Sequence, residues 1–405
     1  MKKNGVTVVV LLAFFLTVAF PFPAMAEEKV EKTEGAETGV EQSDETKQDY
    51  LERFIGELDF AELDELMDTE LFPGWQEKIC FSDVVETLVL QGTEKFDYSM
   101  IADWVRDMLF YEVDVNRKLL VEVVLLAVGF SMLKNFSGTL NEAYISDICF
   151  LLVYGILAVL LMQSFTGYES IASEALGNSV DFMKALVPTF CISMVFSAGP
   201  ETSAGFYQLA FLVIYLVQWL FLTVLMPLIR IYVVMELFNH FFEDEKFQNL
   251  TELIYNLANW GIKSAGVFVL GLNVVQSIIS PAKDRLMSGT ASRVAEFVPG
   301  IGNVLGGIGE MILGSGILIK NCVGATALIF LLVIGLSPVL KIFGMSVLYK
   351  LVAAIVEPVA DKRIAGCIRG MAQGGILYLK LVVYCLALFF ITIALATAAS
   401  GFMAI

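Results

Sequence analysis

The sequence contains very little of what a soluble enzyme needs. Its 405 residues include one histidine, His240, and only 17% of them are charged, whereas 57% are hydrophobic. A single histidine excludes histidine-based triads and histidine-cluster metal sites. The chain has no C-x-x-C and no G-x-x-x-x-G-K-[ST] motif, which excludes the usual redox motif and a Walker ATPase. We therefore expect a polytopic membrane protein that is not an enzyme and has no catalytic, cofactor-binding or metal residues.

Charge is scarce, and its negative excess is confined to one block. Residues 27–116 hold 26 acidic and 7 basic side chains, whereas residues 117–405 hold 17 of each sign. Such an acidic block does not bind phosphate backbones, so no nucleic-acid partner is expected. Of the six cysteines only Cys80 lies in this block, and one thiol cannot form an internal disulfide there. The other cysteines are expected to be buried small hydrophobic residues.

The first 26 residues have the pattern of a secretory signal peptide. Lys2 and Lys3 precede an apolar run from Val6 to Phe20, and residues 24–26 read Ala-Met-Ala, which is an A-x-A cleavage pattern. The alternative is an uncleaved N-terminal anchor. With either interpretation, the acidic block that follows lies outside the cytoplasm.

The exported block divides into a linker and a helical segment. Residues 27–49 are acidic and contain no aromatic residue, which predicts a disordered linker. From residue 50 to residue 118, apolar residues recur at helical spacing, which predicts four short amphipathic extracytoplasmic helices. These helices either form a small bundle of their own or pack on the membrane surface or on a partner.

From residue 119 the chain is expected to be an all-α membrane domain of about eight transmembrane helices. We expect membrane lipid to surround it. Residues 231–242 and 342–356 are predicted to be interfacial helices. The predicted spans are 119–133, 146–165, 182–198, 206–229, 261–280, 297–319, 322–340 and 375–398.

The basic residues predict the orientation of these spans. Most of them fall at cytoplasmic ends when the N-terminal block is outside and eight spans follow. This arrangement places the loop at 243–246 outside, and residues 281–293 and 357–373 in the cytoplasm.

An internal repeat divides the membrane domain further. The run from Met226 to Tyr232 resembles the run from Ser337 to Phe343, so Pro227 and Pro338 match at an offset of 111; Pro188 and Pro299 match at the same offset. Each copy would hold three spans, so the second copy would be inverted in the bilayer, as in many transporters. The predicted division is 119–180 for the first two spans, 181–286 for one repeat and 287–405 for the other. The alternative is two similar hydrophobic hairpins without a pathway.

The sixth predicted span is rich in glycine and contains a carboxylate. Glycines permit the close approach of a neighbouring helix, and an ionisable group at membrane depth is a candidate functional residue. The alternative is that the carboxylate is solvated near a wet cavity or the interface. The candidate residues of this span are Gly302, Gly306, Gly307, Gly309 and Glu310.

Several runs of residues resemble the stage III sporulation protein AE family. The resemblance covers most of the chain and is most specific between about residues 180 and 360. The layout of signal peptide, acidic exported segment and polytopic domain is similar as well. The runs are Ser197–Gly199, Met226–Ile229, Phe297–Gly302, Ile317–Gly324 and Leu348–Ile355.

The resemblance implies a place and a set of partners. It implies the mother-cell membrane around the forespore, together with the other stage III A sporulation proteins, a separate ATPase and, from the forespore side, stage II sporulation protein Q. The implied function is a multi-span, permease-like component of a transenvelope channel or secretion complex needed for sporulation and late forespore development. The alternative is a membrane scaffold that anchors and orients ring-forming partners without lining a conduit.

Overall fold

The computed structural model of the chain is all-helical over the residues that it describes. These are residues 58–68, 80–91, 143–242, 246–295, 302–358 and 360–398, with a few further positions between 56 and 132; over 276–313 only the backbone is described. The predicted signal peptide, the predicted linker at 27–49 and about half of the first predicted span lie outside the described residues.

Two short helices precede a bundle of much longer ones. The short helices are α1 (Ala61–Asp68) and α2 (Phe81–Gln91). The long helices are α3 (Ala143–Ala198), α4 (Pro200–Leu216), α5 (Met226–Phe241), α6 (Gln248–Ala295), α7 (Gly302–Val356) and α8 (Lys362–Ala398), and a π-helix over Val217–Leu225 joins α4 to α5.

The long helices run past the points where the sequence predicts loops. The segment at 166–181 lies inside α3, and residues 320–321 lie inside α7. A helix of 56 residues such as α3 rises about 84 Å, well beyond the roughly 30 Å of a bilayer core. Among the described residues, four helical stretches are long and apolar enough to cross a membrane: Phe150–Val195, Pro200–Phe241, Gly314–Val356 and Lys362–Ala398. The prediction of about eight spans is therefore not confirmed.

Prolines and one glycine shape the connections between these helices. Gly199 adopts a φ of 95° between α3 and α4, a conformation that glycine reaches without strain. Pro227 lies at the start of α5, directly after the π-helix. Because proline has no N–H and clashes with the carbonyl four residues before it, the wider π turn accommodates it without ending the helix. The predicted interfacial helix at 231–242 is thus continuous with the helix before it.

The directions of the helices follow from their contacts with α8. Met226 lies beside Tyr378 and Val233 beside Gly374, so α5 runs antiparallel to α8. The neighbouring helix α7 also runs antiparallel to α8. Its residue Gly335 contacts Leu386, and residues later in α7 contact residues earlier in α8. Pro227 and Pro338 therefore lie in helices that run in the same direction. The predicted inversion of the repeat requires opposite directions, and it is not confirmed.

The prediction that the loop at 243–246 and the residues from 357 onward lie on opposite sides of the membrane is wrong. The ring of Phe241 packs 6.5 Å from that of Phe150, and the Arg363 guanidinium lies 3.6 Å from the centre of the Phe150 ring. The end of α5 and the start of α8 therefore meet at one end of the bundle. Because the loops at 243–246 and 357–361 adjoin these two ends, they cannot lie on opposite sides of a membrane.

The short helices α1 and α2 dock onto the bundle. Asp64 accepts hydrogen bonds from the backbone N–H groups of Phe81 and Ser82 at 2.7 and 3.2 Å and thereby caps α2. The Phe81 ring is fully buried and lies 5.3 Å from Phe330 of α7 and 6.5 Å from Phe182 of α3. The described part of the segment that is predicted to be exported thus packs on the long helices, which is neither of the two arrangements expected from the sequence.

Candidate functional site

The centre of the bundle is α8, whose side chains are buried along most of its length. Helices α3, α5, α6 and α7 all contact it. A helix that is apolar on all sides is typical of the middle of a large bundle. The contacts between α8 and these helices therefore form the interior of the protein.

Three glycines at four-residue intervals form a groove on α8. Glycines at this spacing lie on one face of a helix and let a second helix approach closely. Here the groove is filled by side chains of α5: a methyl group added at any of the three positions would overlap one of them. The pairs are Gly366 with His240, Gly370 with Glu236, and Gly374 with Val233.

Polar groups gather where α5 ends and α8 begins. The Tyr154 hydroxyl donates to the main-chain carbonyl of Leu237 and lies 3.6 Å from the sulfur of Cys367. His240 Nδ1 lies 3.0 Å from the main-chain oxygen of Glu236, so Nδ1 carries the proton when this bond forms. The ring of His240 rests on Gly366. The contacts of Tyr154 hold α3, α5 and α8 together.

A second polar layer crosses the middle of the bundle. The Tyr232 hydroxyl donates to Oε1 of Gln373 at 2.9 Å. An ion pair of 2.7 Å joins Arg230 of α5 to Glu169 of α3, with the Arg230 side chain half exposed. Arg230 is thus paired with a carboxylate.

The third polar layer lies where α8 ends. The side chain of Lys320 is fully buried, and its Nζ donates to the main-chain carbonyl of Thr397 at 2.6 Å. The last carbonyls of a helix lack intrahelical donors and carry partial negative charge, so an ammonium group stabilises them. Nearby, the Asn273 amide donates to the Thr392 hydroxyl at 3.2 Å. Each layer therefore joins α8 to another helix.

The predicted site residues that the structure describes lie on α3, α5 and α7. Pro188 lies inside α3, Pro227 at the start of α5 and Pro338 inside α7. The glycines of the sixth predicted span form the first turns of α7, and Glu310 follows them, but their side-chain surroundings and Pro299 lie outside the described residues. Their role in a pathway remains a prediction.

The residues that do organise the interior were not selected from the sequence. The spacing Gly366, Gly370, Gly374 is a double G-x-x-x-G pattern and could have been found with the rule that selected Gly302 and Gly306. Lys320 carried a weaker signal, since a lysine inside an apolar run is equally compatible with snorkelling to the membrane surface.

The fold and these contacts define an α-helical integral membrane protein with a packed interior. A sequence model described as Stage III sporulation protein AE (spore_III_AE) matches residues 79–400. The chain is 25% identical over 270 residues to Stage III sporulation protein AE of Bacillus subtilis (strain 168), an alignment that covers 66% of this chain and 68% of that protein. No solved structure matches it. The chain belongs to the stage III sporulation protein AE family, which confirms the resemblance found in its sequence.

Proposed function

We propose that this chain is the multi-span, permease-like membrane component of a transenvelope channel or secretion complex between mother cell and forespore. In this proposal it acts in the mother-cell membrane with its N-terminal segment outside the cytoplasm. Its partners are the other stage III A proteins with their ATPase, and stage II sporulation protein Q. Membership of the family and the four membrane-competent helices support this role.

The close packing around α8 limits where a conduit through this protein could run. The glycine groove on α8 is filled by α5, and large aromatic side chains such as Phe165 and Tyr378 stack across the interior at 5.3 Å. Protein interiors packed in this way leave few voids. A path through the middle of a single bundle would have to separate α5 from α8. We therefore propose that the bundle acts as one rigid unit and that any path runs beside it.

A scaffold without a conduit is the second candidate function. The observation that favours it is the docking of α1 and α2 on α3 and α7. Through the Phe81 contacts and a 2.8 Å hydrogen bond from the Thr189 hydroxyl to the Asp59 carbonyl, the described part of the exported segment is fixed to the long helices. Such an attachment would hold partner proteins in a defined orientation.

A disulfide across the groove tests the rigid unit. A Cβ at Gly374 would lie 3.7 Å from Cβ of Val233, which is close to the spacing of about 3.8 Å in disulfides. In a background without native cysteines, we expect the Val233→Cys/Gly374→Cys chain to form the bond on oxidation and to support the same yield of heat-resistant spores as the reduced chain. Each single cysteine variant, given the same oxidant, is the control.

The same strain tests the proposed complex. A tagged chain should co-purify the other stage III A proteins from sporulating cells, with and without the disulfide. Loss of spores on oxidation, reversed by a reductant, would show that α5 and α8 must separate and would refute the rigid unit. Absence of those proteins from the purified material, together with normal sporulation after deletion of the chain, would refute the function itself.

A further inference from the structure

The outward face of α3 changes character along the helix. Between 151 and 159 its exposed side chains are apolar, for example Leu152 and Val159. From 163 to 181 every exposed residue is polar. We call this second stretch the α3 polar face. Its exposed residues are Gln163, Thr166, Ser170, Ser173, Glu174 and Asp181.

Contacts through α8 show which part of α6 lies at the same height as this face. Phe165 of α3 stacks on Tyr378, and two residues further along α8 Lys380 bonds Asn259 of α6 at 3.0 Å. Toward the other end of the polar face, Phe182 is linked through Phe81 to Phe330 of α7. The α7 residue Gly335 contacts Leu386, and Gly266 of α6 contacts Tyr384. The α3 polar face therefore lies level with about residues 259–271 of α6.

At that height α6 presents an apolar surface. Trp260, Val267 and Phe268 are 67%, 72% and 54% exposed, and Lys263 is the one charged residue exposed among 259–271. Apolar side chains this exposed at one level are suited to lipid. Polar side chains at the same level are not, because groups at membrane depth face either water or protein.

We infer that the α3 polar face lines a water-filled path for small polar solutes at membrane depth, outside the packed interior of the bundle. This inference rests on the proposed function and specifies where its path runs. The face carries hydroxyl and amide groups with carboxylates, and the neighbouring Arg230 is half exposed and pairs with Glu169. A lining of this composition solvates water and polar molecules, and its exposed charged residues, Glu174 and Asp181, are both acidic.

Cysteine accessibility at matched heights tests the inference. In a cysteine-free background, single variants Ser170→Cys and Ser173→Cys on α3 are compared with Val267→Cys and Phe268→Cys on α6 in opened membranes prepared from sporulating cells, so that the probe reaches both sides. The probe is a membrane-impermeant, charged maleimide. A thiol reacts as its thiolate, which apolar surroundings disfavour, so we expect labelling on α3 to be at least about tenfold faster than on α6.

Two labelling results would overturn the inference. Absence of labelling on α3 would mean that lipid or protein covers the polar face. Equal labelling on both helices would mean that this height of the bundle lies in water and not in the membrane. Either result leaves the proposed complex intact, since co-purification with the stage III A proteins is measured separately.

Passage of solutes along the α3 polar face is tested by placing bulky side chains on it. Ser170→Phe combined with Ser173→Phe should lower the yield of heat-resistant spores at least about tenfold while the amount of protein in the membrane stays unchanged, because surface substitutions rarely change stability strongly. Val267→Ala on α6 is the matched surface control and should leave the yield normal. A normal yield from the double phenylalanine variant, with the protein present, would overturn the path even where water reaches α3.

Discussion

Glycines occupy two different environments in this protein, and their spacing in the sequence does not distinguish them. On α8, Gly366, Gly370 and Gly374 face side chains of α5 that fill the space a methyl group would need. On α6, Gly271 has no atom within 4 Å of the same position. The first kind of glycine lets two helices meet, whereas the second only adds backbone flexibility. The interlocked interior thus depends on the residue opposite each glycine.

The largest effect is expected at the middle of the groove. Gly374→Leu places a bulky side chain where Val233 lies, and overpacking of this kind should lower the free energy of unfolding by about 3 kcal/mol. Thermal unfolding of the detergent-purified protein measures the loss, and the amount of chain in the membrane should fall with it. Gly271→Leu is the matched control and should unfold at nearly the wild-type temperature.

A compensating pair separates local overlap from a general effect of glycine loss. Val233→Ala removes the methyl group that a side chain at residue 374 would overlap. Gly374→Ala and Val233→Ala together should therefore be more stable than the sum of the single changes by about 1 kcal/mol. Strict additivity of the two changes would show that the groove is not closed by Val233.

Composition and periodicity predicted the class of this protein but not the length of its helices. An all-α membrane protein with a helical exported segment follows from hydropathy, and α1 and α2 lie within the segment predicted for that part of the chain. The polar stretch at 166–181 predicts a loop because a single sequence shows a residue's polarity and not its neighbours. In the fold this stretch stays helical, since its inward side chains, such as Tyr168 and Leu176, are buried.

The candidate site was harder to predict for a related reason. The G-x-x-x-G rule selects several segments, and only the three-dimensional pairing of α5 with α8 shows that the segment on α8 is filled. The repeat of Pro227 and Pro338 is a property of the sequence, but helix direction depends on how many times the chain reverses. One loop more or fewer between the two prolines changes the relation from inverted to parallel.

An intermediate effect is expected at the buried lysine near the end of α8. Lys320→Ala leaves a cavity and removes the donor to the Thr397 carbonyl, and it should lower the free energy of unfolding by about 2 kcal/mol. Lys350, exposed on the same helix, provides the control: Lys350→Ala should change it by less than about 0.5 kcal/mol. Thermal unfolding of the two purified variants measures both values. Equal stability of the two variants would show that Lys320 does not hold the end of α8.

The smallest effect, and the one of opposite sign, is expected at the open glycine of α6. Gly271 lies inside a helix, and an alanine there meets no neighbouring atom. Because glycine loses more backbone entropy on folding than alanine, Gly271→Ala should raise the free energy of unfolding by about 0.5 kcal/mol. Gly374→Ala should lower it in the same thermal unfolding measurement, since its methyl group overlaps Val233. If both alanines stabilise the protein, then α5 and α8 are not in close contact at Gly374. The proposal that the bundle acts as one rigid unit would then be refuted.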